Sequence, residues 1–167
     1  MLPLALSTGL QARQQRPNVL LIIADDLGKG DVSAYGSTAI STPNIDSIAD
    51  NGICFRNGYA TSATSTPSRY ALFTGMYPFR NPNAVILPGN APLIIAEDKP
   101  TMPKMFQAAG YSTAAIGKWH LGMGDGNVDW NKQICPSANA VGFDYTDVVA
   151  ATNDRVPTVY VKNGRVE

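Results

Sequence analysis

Residues 16–28, RPNVLLIIADDLG, constrain the fold more than any other stretch of the chain. Val19 to Ala24 are apolar without interruption, bounded by Pro17 on one side and Asp25 on the other. An amphipathic strand would alternate, and this run does not. Its length and its Val, Leu and Ile content fit a strand buried on both faces, as in a parallel sheet. Such a strand needs cover on either side, which points to a layered α/β fold. Asp25 and Asp26 follow at its carboxyl end, where ligands collect in open α/β sheets.

The remaining pattern agrees with that class. Residues 41–52 read as a helix, with Thr42 as cap, Pro43 in the first turn, Ile45, Ile48 and Ala49 on one face, and Gly52 at the end. Residues 53–60 are strand-like, and 67–75 form a helix opened by Pro67 and closed by Gly75. Residues 77–100, rich in Pro, Asn and Gly, predict a long irregular loop. A helix follows over 101–110, with Met102, Met105 and Phe106 spaced to face a core. Strands are expected within 111–122 and 142–150, and 156–167 alternates around an Asn163-Gly164 hairpin turn. The alternation predicts a mostly parallel sheet.

Thirteen basic residues balance thirteen acidic ones with no basic stripe, so bulk charge argues for no nucleic-acid partner. Cys54 and Cys135 make no CxxC pair, and no disulfide framework is implied. No run is long and apolar enough to predict a membrane span. Residues 1–15 carry an apolar stretch from Leu2 to Leu10 and a small Ala12, which resembles the tail of a secretory signal peptide; a disordered arm is the other reading. Export to the periplasm or the extracellular space is the expectation.

Three polar clusters carry chemistry. Adjacent Asp25 and Asp26 repel unless a cation lies between them, and hard divalent ions take carboxylate oxygens; a solvated turn or helix cap is the alternative. Ser65 stands at a helix N-terminus, where free N–H groups and the dipole favour an anion. Its hydroxyl can attack a bound ester or cap the helix. Arg69 lies one turn on and can return its planar fork to that end, or form a surface ion pair. Lys118 and His120 flank Trp119, and in an extended segment alternate residues share a side, so both are expected at one cleft. His120, the sole histidine, is catalytic or structural.

In this order the clusters resemble the N-terminal part of the sulfatase family, the formylglycine-dependent sulfuric ester hydrolases of the alkaline phosphatase-like superfamily. PNVLLIIADDLG resembles the family's first strand and metal-binding carboxylates, STPSR its Cys/Ser-x-Pro-Ser-Arg motif, YALFTGMYPFR that motif's continuation, and GYSTAAIGKWHLG its second motif. The resemblance covers residues 16–150 and implies an alkaline phosphatase-like α/β fold with a mostly parallel sheet, of which 16–167 are the N-terminal part. It implies that Ser65 is oxidised to formylglycine by a modifying enzyme that reads the surrounding loop. The hydrated aldehyde offers two hydroxyls: one attacks sulfur, and the other expels sulfate. Ser65 in place of Cys is similar to the serine-type enzymes matured by an anaerobic radical maturase.

The resemblance further implies that Asp25, Asp26 and the modified Ser65 bind Ca²⁺, that Arg69 stabilises the diol and the metal site, that Lys118 contacts sulfate, and that His120 orients or deprotonates the hydroxyl. The family's later part supplies further metal ligands, a second His and a second Lys. An isolated N-terminal piece is therefore expected to be inactive. The substrate is a sulfated carbohydrate or an aryl sulfate, and Asn153, Asp154 and Arg155 are placed to line its sugar pocket or to form a solvated loop. Two other readings stay open: a phosphatase or phosphodiesterase of the same superfamily, using Ser65 or Thr66 directly with transition metals, and a non-catalytic module in which unmodified Ser65 only caps a helix and the cleft holds a sulfated glycan.

Overall fold

Strands β1 (Ala114–Lys118) and β2 (Tyr145–Val149) run parallel, with Ala114 opposite Tyr145 and Lys118 opposite Val149. The computed structural model describes residues 16–167, so the signal-peptide reading of 1–15 lies outside the described residues. β3 (Tyr160–Lys162) pairs antiparallel with β2, and β4 (Arg165–Val166) antiparallel with β3. The sheet, ordered β1-β2-β3-β4, is therefore mixed rather than mostly parallel, because the expected hairpin supplies two of its three pairings. Asn163 and Gly164 turn that hairpin with positive φ values of 47° and 79°, the combination a two-residue hairpin turn needs.

Three helices match expected spans: α1 (Pro43–Asp50), α2 (Ser65–Thr74) and α3 (Met102–Ala108). Thr101 caps α3, accepting from the Lys104 N–H at 3.4 Å. Met102 packs against the core, whereas Met105, expected beside it, is 60% exposed.

The chain divides into two compact units, Met1–Cys54 and Phe55–Glu167. The second holds the sheet, α2, α3 and the core. Phe73 and Trp119 stack at 5.8 Å, and Phe143 meets Phe73 edge-on at 5.6 Å. Ile95, Leu121, Val148 and Val161 fill the space around them, each at most 1% exposed. Burying side chains of this size contributes roughly 1.5–3 kcal/mol each. Trp119 satisfies its indole N–H on the Gly122 carbonyl at 2.8 Å, so the largest core residue buries no unpaired donor.

In the first unit, Thr42 takes the N-cap position of α1 but makes no capping bond. Its hydroxyl instead donates to Asp46 at 2.9 Å and accepts from the Ser33 N–H at 3.0 Å. Ile45 and Ile48 do share a face, where they line a shallow apolar groove with Val32 and Ile53.

Two expected strands are not strands. Val19–Ala24 joins no ladder, and Leu20 and Ile22 are 84% and 71% exposed. A strand buried on both faces needs neighbours on both edges and cover on both sides; among the described residues nothing pairs with this run. Residues 53–60 are irregular too, with Ile53, Phe55 and Tyr59 exposed.

Candidate active site

Ser65 is the first residue of α2. Thr64, extended at φ −124°, holds the N-cap position, so Ser65 is not the cap. Pro67 suits the first turn because its missing N–H would be an orphan there. Gly75 closes the helix in the left-handed region, its N–H bonding the Ala71 carbonyl at 2.8 Å. Thr66, Pro67, Tyr70 and Phe73 are buried, which fixes the helix and with it the half-buried Ser65.

The Ser65 hydroxyl has two partners. Arg69, four residues on, donates from Nε to Oγ at 3.1 Å. His120 Nδ1 lies 3.2 Å from the same oxygen. Arg69 is itself buried, and its Nη1 donates to the Lys118 carbonyl at 2.9 Å, tying α2 to the end of β1.

His120 is delivered by the sheet. The Trp119 N–H bonds the Val149 carbonyl at 3.0 Å and the His120 N–H the Ala150 carbonyl at 3.2 Å, which carries the β1–β2 ladder past Lys118. At His120 the backbone turns left-handed, φ 54°. The fully buried Thr66 hydroxyl holds that turn by donating to the His120 carbonyl at 2.7 Å.

His120 Nε2 lies 3.0 Å from the Leu87 carbonyl. A carbonyl only accepts, so Nε2 carries the proton; in the neutral ring Nδ1 then holds a lone pair and accepts from the Ser65 hydroxyl. Burial depresses the His120 pKa, and the charges of Lys118, Arg155 and Arg69 depress it further, against the raising effect of the Leu87 bond. The ring is thus neutral at pH 7 and available as a base.

Lys118, half-buried, acts electrostatically on both His120 and Asp154. Asn153 and Asp154 are exposed; the Thr152 hydroxyl donates to Asp154 and, with its backbone and the charges of Arg155 and Lys118, holds its carboxyl below the usual range. Arg155, half-buried, sends Nη1 to the Leu87 carbonyl at 3.0 Å.

Asp25 and Asp26 belong to the first unit and are exposed, Asp26 with φ 58°. Two carboxylates are a hard-oxygen donor set of the kind Ca²⁺ takes. Among the described residues no third His, Cys, Asp or Glu joins them.

From sequence Thr66 is offered only as an alternative nucleophile, not as the brace of the His120 turn, and the Leu87 carbonyl is not singled out. Thr66 sits inside STPSR as one more hydroxyl, and a backbone carbonyl has no residue signature at all.

The chain is similar to known proteins over most of its length. The sulfatase family profile matches residues 17–160. An N-acetylgalactosamine-6-O-sulfatase of Bacteroides thetaiotaomicron is 56% identical over 153 residues, 91% of this chain and 30% of the relative. Human steryl-sulfatase is 40% identical over 84% of this chain and 24% of its own length. A solved structure from work on glycosaminoglycan metabolism in the same Bacteroides superposes with a TM-score of 0.89 at 55% identity, covering 92% of this chain and 32% of that one. A second structure, bound to its substrate D-glucosamine-2-N,6-O-disulfate, superposes at 0.66 with 35% identity over 92% of this chain and 28% of its own. The chain thus spans about a third or less of the proteins it resembles.

Proposed function

The chain belongs to the sulfatase family, with its alkaline phosphatase-like α/β fold, and from that membership we propose that the protein hydrolyses sulfate esters of carbohydrates. The observation that carries the reading is Ser65 Oγ held between Arg69 Nε and His120 Nδ1 at the start of a buried helix. The substrate class follows the 56% identical N-acetylgalactosamine-6-O-sulfatase, so a 6-O-sulfated N-acetylgalactosamine is the first candidate.

Each candidate residue has a task in such a reaction. Position 65 as formylglycine would supply a hydrated aldehyde, whose two hydroxyls let one take the sulfuryl group and the other release it. Asp25 and Asp26 would help hold Ca²⁺, whose chemistry there would be polarisation of sulfate oxygens. Arg69 orients the position-65 oxygen through Nε and braces itself on the Lys118 carbonyl. The N-terminus of α2 favours the incoming anion, and the Lys118 ammonium neutralises its charge. His120 Nδ1 receives the hydroxyl proton as the position-65 oxygen becomes nucleophilic; the Leu87 carbonyl steadies the ring as it becomes cationic. Asn153 and Asp154, exposed beside Lys118's field, are the sugar-side contacts.

Maturation of a serine needs a formylglycine-generating partner of the anaerobic radical type, and the protein acts outside the cytoplasm. Among the described residues no helix is long and apolar enough to cross a membrane. The test is mass spectrometry of the peptide over 57–69 from the native host, together with sulfate release from 6-O-sulfated N-acetylgalactosamine. Loss of two hydrogens at Ser65 with turnover is expected. An unmodified serine with glycan binding but no turnover would convert the protein to a lectin-like module.

A further inference from the structure

We propose that Arg155 is a positioning residue, which acts through the Leu87 carbonyl to aim His120 Nδ1 at the position-65 oxygen. Its effect on turnover rests on the sulfatase reading above; its geometry does not.

The Leu87 carbonyl accepts from His120 Nε2 and from Arg155 Nη1, each at 3.0 Å. A carbonyl has two lone pairs, so the two donors fill it. Leu87 is 6% exposed, which leaves little room for water to replace either donor. Leu87 also lies in an irregular stretch, outside any helix or strand. No ladder fixes the direction of its carbonyl, so the guanidinium has to.

Two further observations show that the Arg155 loop is pressed against the Leu87 loop. A Cβ on Gly89 would lie 2.3 Å from the Val156 carbonyl oxygen, so the two backbones are in direct contact. The Thr158 hydroxyl donates to the Arg155 carbonyl at 3.1 Å and closes the loop on itself. Arg155 Nε is buried with no hydrogen-bond partner. An arginine placed to satisfy its own donors would not leave one orphaned. One placed to serve a particular carbonyl tolerates it.

A sugar contact and a positioning role differ in what they change. A sugar contact sets affinity. A misaimed base slows the proton transfer and leaves affinity alone.

The experiment uses the full-length matured protein with wild-type, Arg155→Met, Arg155→Lys and Gly89→Ala chains. Turnover is measured on 6-O-sulfated N-acetylgalactosamine. The exchange-protected His120 Nε2–H proton is followed by NMR and assigned through His120→Gln. For Arg155→Met the expectation is a kcat lower by about 10- to 100-fold with KM within about twofold, and a weakened or lost Nε2–H signal. Arg155→Lys, which keeps one donor for the carbonyl, falls between. Gly89→Ala, which forces the loops apart without touching the guanidinium, lowers kcat in the same sense. A rise in KM with kcat and the Nε2–H signal unchanged would overturn the proposal and return Arg155 to the sugar pocket. If the wild type releases no sulfate, the sulfatase reading fails, and the Nε2–H signal alone decides: its persistence in Arg155→Met sinks the proposal, its loss sustains it.

Discussion

At the scale of single residues, the candidate site is a set of hydrogen bonds with assigned directions. Replacing Arg69 by Lys removes the planar fork that meets Ser65 Oγ and the Lys118 carbonyl together. Arg69→Lys should therefore lower kcat by about 100-fold, read by sulfate release from the matured protein. His120 sets a pH dependence. Burial holds its folded-state pKa below the unfolded value of about 6.5. As pH falls through about 6.5, the unfolded chain takes up the proton first, so stability is full above that pH and declines below it. Melting curves from pH 5 to 8 should show a gentler decline for His120→Gln than for the wild type. That Ser65, Arg69 and His120 come together was legible because each carries a distinctive functional group at a telling place in a pattern. Leu87 was not, since the group it contributes is common to every residue. The bracing role of Thr66 was hidden because it depends on a chain segment 54 positions away.

At the scale of elements, local rules worked where an element is self-contained. The Asn163-Gly164 hairpin and the helix punctuated by Pro67 and Gly75 were legible because turn and cap chemistry lies within the segment itself. They failed where an element takes its identity from others. The composition of Val19–Ala24 says that both faces seek cover, but not which strands supply it, and within the described residues the run stays unpaired. Met105 was misread because helical spacing defines a face without saying how wide the covered part is. Close approaches between elements give a direct test. Gly142 sits at φ 109°, and a Cβ there would meet the Lys104 backbone nitrogen at 2.8 Å, where α3 abuts the turn before β2. Gly142→Ala should cost about 1–3 kcal/mol, read by chemical denaturation.

At the scale of the whole molecule, the α/β class was legible and the mixed sheet was not, because the antiparallel hairpin adds strands that the helix–strand alternation does not count. The row of exposed apolar residues from Val19 to Ile23, in a chain about a third the length of its relatives, sets another expectation. The 167-residue chain by itself should bind a hydrophobic dye and release no sulfate. Full turnover by that chain would contradict the dependence on further ligands. One feature of the sheet reaches across the second unit. At the start of β1, Thr113 and Asp144 lock together, Asp144 accepting from the Thr113 N–H at 2.8 Å and from Gln107 at 2.7 Å. At its far end the same pair of strands hands over Lys118 and His120. The two parallel strands work as a vernier, zeroed at Thr113 and read at the histidine. A lesion at Asp144, remote from any sulfate, would then masquerade in kinetics as damage to the reactive centre.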